Sequence, residues 1–253
     1  MKRKLLNITN KIWSFSAIVV ILLVWQLACS FEFVDSFMLP SPIQVLQAFI
    51  KEFPVLMEHS FVTLTEAFWG LVLGILLGFL MAVLMDQFEP VYKAFYPLIV
   101  LTQTVPTVAI APLLVLWFGY EMTPKVILIV ITTFFPIAVG LLNGFRSNDS
   151  DAINLLRAMG AGRWQIFRYI KLPGAMSQFF AGLRISASYA VVGAVISEWL
   201  GGFSGLGVYM TRVKQAFSFD KMFAVIFLIS IISLVLMKGV DYLQKICMPW
   251  DKE

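Results

Sequence analysis

Few residues of this 253-residue sequence could carry acid–base, metal or redox chemistry, and they lie far apart. His59 is the single histidine, and Cys29 and Cys247 have no spacing typical of a metal or redox pair. The phosphate-binding pattern Gly-x-x-x-x-Gly-Lys-Ser/Thr does not occur, so we expect no ATP hydrolysis by this chain. The sequence predicts no catalytic residue, no cofactor and no metal site, and a hydrogen-bonded or interfacial role for His59.

Three ionisable residues fall within or at the ends of long apolar runs, where a charge is costly to bury and is often functional. Glu66 precedes one run, Glu198 ends another, and Arg184 lies inside the latter run. For Arg184 the simplest role is a structural ion pair, or a side chain that reaches toward the membrane surface.

A polar stretch, residues 148–173, separates two apolar runs. Gly160 and Gly162 favour a tight bend between two short helices, and Pro173 ends the segment. Helical spacing places polar or small residues on one face of this stretch. These are Asn154, Arg157, Ala161, Gln165 and Arg168. By itself this pattern is also typical of an ordinary amphipathic loop.

The spacing within the stretch is more informative. Gly160 is followed, after nine residues, by Ile-Lys-Leu-Pro at 170–173, which resembles the EAA signature of ABC importer permeases. In that family the stretch is a coupling helix that docks into a cleft of the ATPase subunit. The Glu-Ala-Ala positions of the signature are Asn154-Leu155-Leu156 here, so this chain lacks the glutamate and any ion pair that the glutamate makes in relatives. The resemblance implies these ATPase-coupling residues: Asn154, Arg157, Gly160, Ala161, Arg163, Phe167, Ile170, Leu172 and Pro173.

The composition indicates that the solvent of this chain is a lipid bilayer. Hydrophobic residues make up 60% of the sequence and charged residues 13%, and the mean hydropathy is +0.86. We predict an all-α integral membrane protein with about six transmembrane helices and one domain, 1–253, that includes the coupling segment 148–173. The spans are predicted at 12–31, 67–85, 94–120, 126–145, 174–200 and from 222 onward. The resemblance implies the type I ABC importer permease fold, with the coupling helix between spans 4 and 5.

The basic residues support one orientation, with both termini and residues 148–173 in the cytoplasm. In that topology thirteen lysines and arginines lie inside, five lie outside, and Arg184 lies within a span. We therefore expect a multi-pass protein of a prokaryotic inner or plasma membrane.

The third predicted span has a pattern of its own. It is uncharged, too long for a simple perpendicular span, and contains Pro97, Pro106 and Pro112. Proline frees backbone carbonyls and kinks helices, which membranes tolerate where other groups satisfy the backbone. Its sequence is similar to the third helix of the permease family. A broken, polar helix of this kind is a candidate pathway element, and a packing kink is the alternative.

The resemblance also gives a substrate hypothesis. Residues 63–67 and 189–201 look most like permeases for thiamine precursors of the aminopyrimidine type, within the sulfonate, taurine and nitrate branch. Many anion importers of the branch have a basic residue near the Glu66 position. An acidic pair, Glu66 and Glu198, would instead suit a neutral or cationic heterocycle, although Glu198 also fits a structural or gating role. The pathway and gate candidates are Glu66, Gln103, Thr104, Pro106, Tyr189 and Glu198.

The resemblance implies a set of partners. These are two ABC ATPase subunits that bind ATP and Mg²⁺, an extracytoplasmic solute-binding protein, and a second permease copy in a homodimer or close heterodimer. No basic–aromatic pattern indicates nucleic-acid binding. The alternatives are a sulfonate, taurine or nitrate permease, an ATP-independent carrier or channel, an intramembrane enzyme, and a structural membrane protein.

Overall fold

The structure of the chain is a computed structural model that describes residues 2–31 and 38–249, with the side chain of Trp13 and all side chains from Ser16 onward in these ranges. The described residues form helices and no strand. The helices are α1 Lys2–Ser30, α2 Pro42–Lys51, α3 Phe53–Gln87, α4 Glu89–Thr102, α5 Thr107–Phe118, α6 Met122–Arg146, α7 Ser150–Ala158, α8 Arg163–Ile166, α9 Leu172–Leu200, α10 Leu206–Gln215 and α11 Phe219–Cys247. A π-helical turn, Phe167–Lys171, joins α8 to α9.

Several of these helices are long and apolar enough to cross a membrane. In the described part of the chain there are four, or five if α4 and α5, which are bent by 98° across a short break, form one span. The apolar part of α1 within the described side chains, Ser16–Ser30, is shorter than a full span. The predicted all-α, multi-span fold is confirmed, and the count of six spans is not.

Two boundaries differ from the prediction. The polar stretch 32–60, between the first two predicted spans, is expected to be a connector, but α3 begins at Phe53 and so includes its last eight residues. Residues 32–37 of this stretch lie outside the described part of the chain. Pro54 does not prevent this, because proline is tolerated in the first turn of a helix. Residues 201–221, between the last two predicted spans, are expected to form a glycine-rich external loop, but α10 occupies part of this stretch, since the glycines end at Gly207 and helix-compatible residues follow.

The chain divides into two compact units, of which the larger comprises residues 58–209 and 229–253. Its centre is the packing of α6 against α9 through small residues. A Cβ atom at Gly144 would lie 2.7 Å from the Cα of Ala175, and one at Gly140 would lie 2.9 Å from the carbonyl oxygen of Gln178. Small residues therefore bring the two backbones together, as is common between membrane helices.

The same unit has a continuous apolar core beside this contact. It contains Ile137, Leu141, Phe145, Ala175, Phe180 and Ala187, all buried. The glycines of α3 at every fourth position, Gly70, Gly74 and Gly78, face Ile129, Thr133 and Ile137 of α6 in turn. Small residues at every fourth position lie on one face of a helix, and here they let α3 pack on α6.

The smaller unit comprises residues 1–57 and 210–228. In it, α2 begins with a capping box, in which Ser41 Oγ accepts from Gln44 N (3.3 Å) and Gln44 Oε1 accepts from Ser41 N (2.8 Å). The ring of Trp25 lies 5.8 Å from that of Phe223. Lys221 Nζ forms an ion pair with Glu52 Oε1 at 2.6 Å.

Candidate functional site

The predicted coupling segment, residues 148–173, contains two short helices joined by a turn, as its sequence indicated. Pro173 does not end the segment as predicted, because it lies in the first turn of α9, where proline is tolerated, and the helical run continues through it. Asp149 caps α7, because its Oδ1 accepts from Asp151 N at 2.9 Å. The turn after α7 contains Gly160 at φ +85°, a conformation that L-residues rarely adopt. Across this turn Ala161 N donates to the carbonyl oxygen of Leu156 at 2.9 Å.

Hydrogen bonds and one ion pair tie the segment to the adjoining helices. Asn148 Nδ2 donates to the carbonyl oxygen of Gly144 at 2.9 Å and to that of Lys171 at 3.3 Å, so it joins the two ends of the segment. Lys171 Nζ contacts Asp86, near the end of α3, at 2.7 Å. These contacts give the segment a defined position relative to α3, α6 and α9.

The predicted coupling residues differ in exposure. Asn154, Arg157, Gly160 and Arg163 are exposed, and Ala161, Ile170, Leu172 and Pro173 are half-buried. Phe167 is buried, with its ring 5.3 Å from that of Phe145 and 5.6 Å from that of Trp164. Phe167 therefore supports the segment from within.

The segment also exposes large apolar side chains that the prediction did not include. Met159 is 74% exposed and Trp164 is 68% exposed, and Leu155 and Tyr169 are similarly open. Exposed side chains of this size beside charged ones are typical of a protein-docking surface. Large apolar side chains within an otherwise polar stretch were the sequence signal that could have identified these four residues.

A second candidate site lies at the break between α4 and α5. Pro106 precedes the first residue of α5, and Thr104 Oγ1 donates to the carbonyl oxygen of Leu101 at 2.8 Å, which satisfies part of the interrupted backbone. The predicted pathway residues Thr104 and Pro106 thus form the break.

A cavity of about 270 Å³ adjoins this break. Its lining consists of Thr102, Gln103, Val105, Thr107, Ile131, Thr132, Tyr189, Val192, Gly193 and Ile196. Two predicted pathway residues, Gln103 and Tyr189, are therefore brought together although 86 positions separate them in the sequence. None of these lining residues carries a formal charge, so the cavity offers one amide, several hydroxyl groups and apolar surface.

The two predicted acidic residues lie in a different place, a buried polar cluster of Thr63, Glu66, Lys125 and Glu198. Lys125 Nζ donates to Glu66 Oε1 at 2.6 Å, and both side chains are 6% exposed. Thr63 Oγ1 donates to Glu198 Oε1 at 2.8 Å. The roles expected for Glu66 and Glu198 in selection and gating stay predictions.

The same cluster holds the start of α10. Gly207 N donates to Glu198 Oε2 at 2.6 Å, Leu206 N to Thr63 Oγ1 at 2.9 Å, and Gly205 N to His59 Nδ1 at 3.0 Å. A carboxylate at a helix N-terminus satisfies free N–H groups and complements the helix dipole. Lys125 and Thr63 are not among the site residues predicted from the sequence, although the position of Lys125 beside the fourth apolar run was a signal.

Arg184 has a structural partner. Its guanidinium contacts Asp241 Oδ1 at 2.5 Å and donates to Gln244 Oε1 at 3.2 Å. This ion pair joins α9 to α11, which agrees with one of the two roles that the sequence indicated.

Comparisons with known proteins identify the family. The model of the binding-protein-dependent transport system inner membrane component matches residues 74–249. The formylaminopyrimidine transport permease protein ThiX of Halalkalibacterium halodurans is 36% identical over 235 residues, which cover 92% of this chain and 94% of the relative. A probable ABC transporter permease protein of Haemophilus influenzae is 34% identical over 88% of this chain and 91% of its own length. The taurine transport system permease protein TauC of Escherichia coli is 30% identical over 95% of this chain and 90% of its own length.

A solved structure of an amino acid ABC transporter shares the fold at a TM-score of 0.61, with 19% identity over 78% of this chain and 94% of that one. The family match covers most of the chain, and its residues include the break between α4 and α5, the coupling segment and the cavity lining. This chain therefore belongs to the family of binding-protein-dependent transport system inner membrane components, the permease subunits of ABC importers.

Proposed function

We propose that this chain lines the translocation pathway of an ATP-driven importer whose substrate is a small heterocycle of the aminopyrimidine type. The observation that carries the substrate assignment is the cavity at the α4–α5 break, which has no charged lining residue. The 36% identical relative is named for formylaminopyrimidine transport, which agrees with this chemistry.

The lining suits a heterocycle better than an anion. Gln103 supplies an amide donor and acceptor, and the hydroxyl group of Tyr189 supplies another polar contact. A sulfonate or nitrate ion held without a cationic partner would carry a large desolvation penalty. A taurine, sulfonate or nitrate permease remains the second candidate, because a 30% identical relative is named for taurine transport.

The partners follow from the exposed coupling segment and from the family. We infer that two ABC ATPase subunits, which bind ATP and Mg²⁺, dock on residues 148–173 of two permease copies, and that an extracytoplasmic solute-binding protein delivers the substrate. The chain would then act as one domain, in a prokaryotic inner or plasma membrane, with both termini in the cytoplasm. Asn154, Arg157, Gly160 and Arg163 are exposed and could contact the ATPase directly, and the other predicted coupling residues would shape the segment.

The test is uptake by proteoliposomes that contain the permease with its co-purified ATPase and binding protein. We expect ATP-dependent uptake of labelled formylaminopyrimidine and little uptake of taurine. Gln103→Ala should reduce the uptake rate on the order of tenfold, the equivalent of one lost hydrogen bond. Gln178→Ala, an exposed change on α9, is the matched control and should have no effect.

Other outcomes would select an alternative. Uptake of taurine but not of the pyrimidine would support the second candidate. Uptake that needs no ATP would support a carrier or channel.

A further inference from the structure

We propose that Glu66 and Glu198 hold one proton between them, so that the buried polar cluster around Lys125 is a proton-binding site. The cluster lies within the larger unit and joins four helices, since Glu66 belongs to α3, Lys125 to α6, Glu198 to α9 and Gly207 to α10. Such a site would exist whichever substrate the protein transports.

The cluster has two carboxyl groups and one basic group. Lys125 Nζ contacts Glu66 Oε1 at 2.6 Å, and no other lysine or arginine in the described part of the chain lies within ion-pair distance of Glu66 or Glu198. His59 Nδ1 accepts a hydrogen bond from Gly205 N, so this nitrogen carries no proton and His59 is neutral. If both carboxyl groups were ionised, the cluster would therefore have one negative charge in excess.

One oxygen of Glu66 is buried without a hydrogen-bond donor among the described residues. Glu66 Oε1 accepts from Lys125, whereas Oε2 has no such donor. The side chain of Glu66 is 6% exposed, and Glu198 is 2% exposed. The two carboxyl groups lie within hydrogen-bonding reach of each other, and Oε2 is the oxygen of Glu66 that is left for this contact.

Both oxygens of Glu198 already accept hydrogen bonds. Oε1 accepts from Thr63 Oγ1 at 2.8 Å, and Oε2 accepts from Gly207 N at 2.6 Å. A Cβ atom at Gly207 would lie 3.0 Å from Oε2, and a Cβ atom at Gly205 would overlap the carboxyl group. The turn before α10 thus packs directly on Glu198. A proton needs no additional space there, in contrast to a metal ion.

A shared proton resolves both the excess charge and the missing donor. Two carboxylates in contact repel each other, and each offers only acceptor oxygens. When one of them is protonated, it donates to the other, and the cluster then has one negative and one positive charge. Carboxyl groups at this separation share one proton for the same reason in other proteins, and the proton belongs to the pair. The proton would fix Glu198 against α3 while Glu198 holds the start of α10.

Infrared spectroscopy can detect this proton directly, because a protonated carboxylic acid has a C=O stretch separate from that of a carboxylate. The purified full chain is measured at neutral pH in a detergent without ester groups, since ester carbonyls absorb in the same region. We expect a band with the intensity of one carboxylic acid per chain, and a shift of this band in D₂O.

The band should be lost in Glu66→Gln and also in Glu198→Gln, because each variant leaves one carboxylate for one lysine. Glu58→Gln, at an exposed position of α3, is the matched control and should keep the band. Absence of the band in the wild type, or its persistence in both variants, would overturn the inference. Loss in only one variant would place the proton on that residue alone and would contradict the sharing.

Isotope labelling gives a measurement that needs no substitution. When the glutamates of the wild-type chain carry heavy carbon in the side-chain carboxyl group, we expect the band to move to lower frequency. A band that does not move would belong to another residue type, and the inference would be wrong.

The competing occupant of the gap between the two carboxyl groups is a sodium ion. We expect identical wild-type spectra in sodium and in choline buffers, each with the carboxylic-acid band. If the spectra lacked this band, and the carboxylate bands shifted when choline replaced sodium, the pair would bind a metal cation in place of a proton.

Discussion

Lys125 illustrates at the scale of single residues how a charge is retained in an apolar protein. Its ammonium group is held against Glu66 at 2.6 Å, and both side chains are almost fully buried. Such a pair adds little net stability, but the loss of one partner leaves an uncompensated charge in a medium that cannot solvate it.

We predict that Lys125→Met lowers the free energy of unfolding by about 3–5 kcal/mol. The double variant Lys125→Met/Glu66→Leu should recover most of this loss, because neither charge then remains. Thermal unfolding in detergent measures both. Lys93→Met, which removes an exposed lysine 3.9 Å from Glu89, is the control and should change stability by less than about 1 kcal/mol. A loss for Lys125→Met no larger than this control would contradict the prediction.

The expected role of Glu66 in substrate selection has its own test. If its charge selects a heterocycle, Glu66→Gln should reduce uptake of formylaminopyrimidine per folded molecule, in addition to any loss of folded protein that leaving Lys125 unpaired causes. Initial uptake rates in proteoliposomes, normalised to folded protein, measure this effect. Unchanged uptake would mean that Glu66 acts through the buried cluster alone.

At the scale of helices, small residues decide which backbones can approach. Gly144 of α6 meets Ala175 of α9 so closely that a Cβ atom on the glycine would lie 2.7 Å from a Cα atom. Backbone cannot move aside as a flexible side chain can, so α6 and α9 would have to separate.

We predict that Gly144→Leu destabilises the protein by about 2 kcal/mol or more through overpacking. Gly239→Leu on α11 is the matched control, because a Cβ atom there has no heavy atom within 4 Å. Melting temperatures of the two variants in the same detergent give the comparison. Similar shifts in both would contradict the close packing of α6 and α9.

A second prediction at this scale concerns the turn of the coupling segment. Gly160→Ala forces a left-handed conformation on an L-residue and should cost about 1 kcal/mol. Because that cost falls on an exposed turn, we expect weaker ATPase co-purification with little change in melting temperature. Gly162→Ala, at φ −74°, is the control and should leave ATPase binding intact. Equal binding by both variants would show that the turn conformation is not needed for docking.

At the scale of the whole molecule, the question is how many copies form a pathway. The cavity at the break between α4 and α5 is lined here by residues of one chain, and we expect a second copy to complete the pathway. When two differently tagged copies are expressed together, purification through one tag should recover the other in about equal amount. Recovery of a different permease in place of the second tag would indicate a heterodimer.

The sequence by itself determined the membrane class, and it predicted the break between α4 and α5 and the two short helices of residues 148–173. An uncharged run predicts a helix from the sequence alone, because a bilayer requires the backbone to satisfy its own hydrogen bonds. Of the three prolines in the third predicted span, Pro106 lies at the break, whereas Pro97 and Pro112 lie inside α4 and α5. Gly160 and the Ile-Lys-Leu-Pro at 170–173 mark the segment because their local spacing resembles the EAA signature.

Only the tertiary structure decided the contacts between distant residues. Lys125 pairs with Glu66 across 59 positions, and Asp86 pairs with Lys171 across 85. α10 begins where side chains of Thr63 and Glu198 satisfy its first N–H groups, so no local signal could place its start. Phe167, predicted as an ATPase-coupling residue, is buried with its ring against that of Phe145, a contact between residues 22 positions apart. Each of these contacts depends on which helices lie side by side. In a membrane, helix packing is set by how closely two backbones can approach, and a sequence pattern does not state which helices are neighbours.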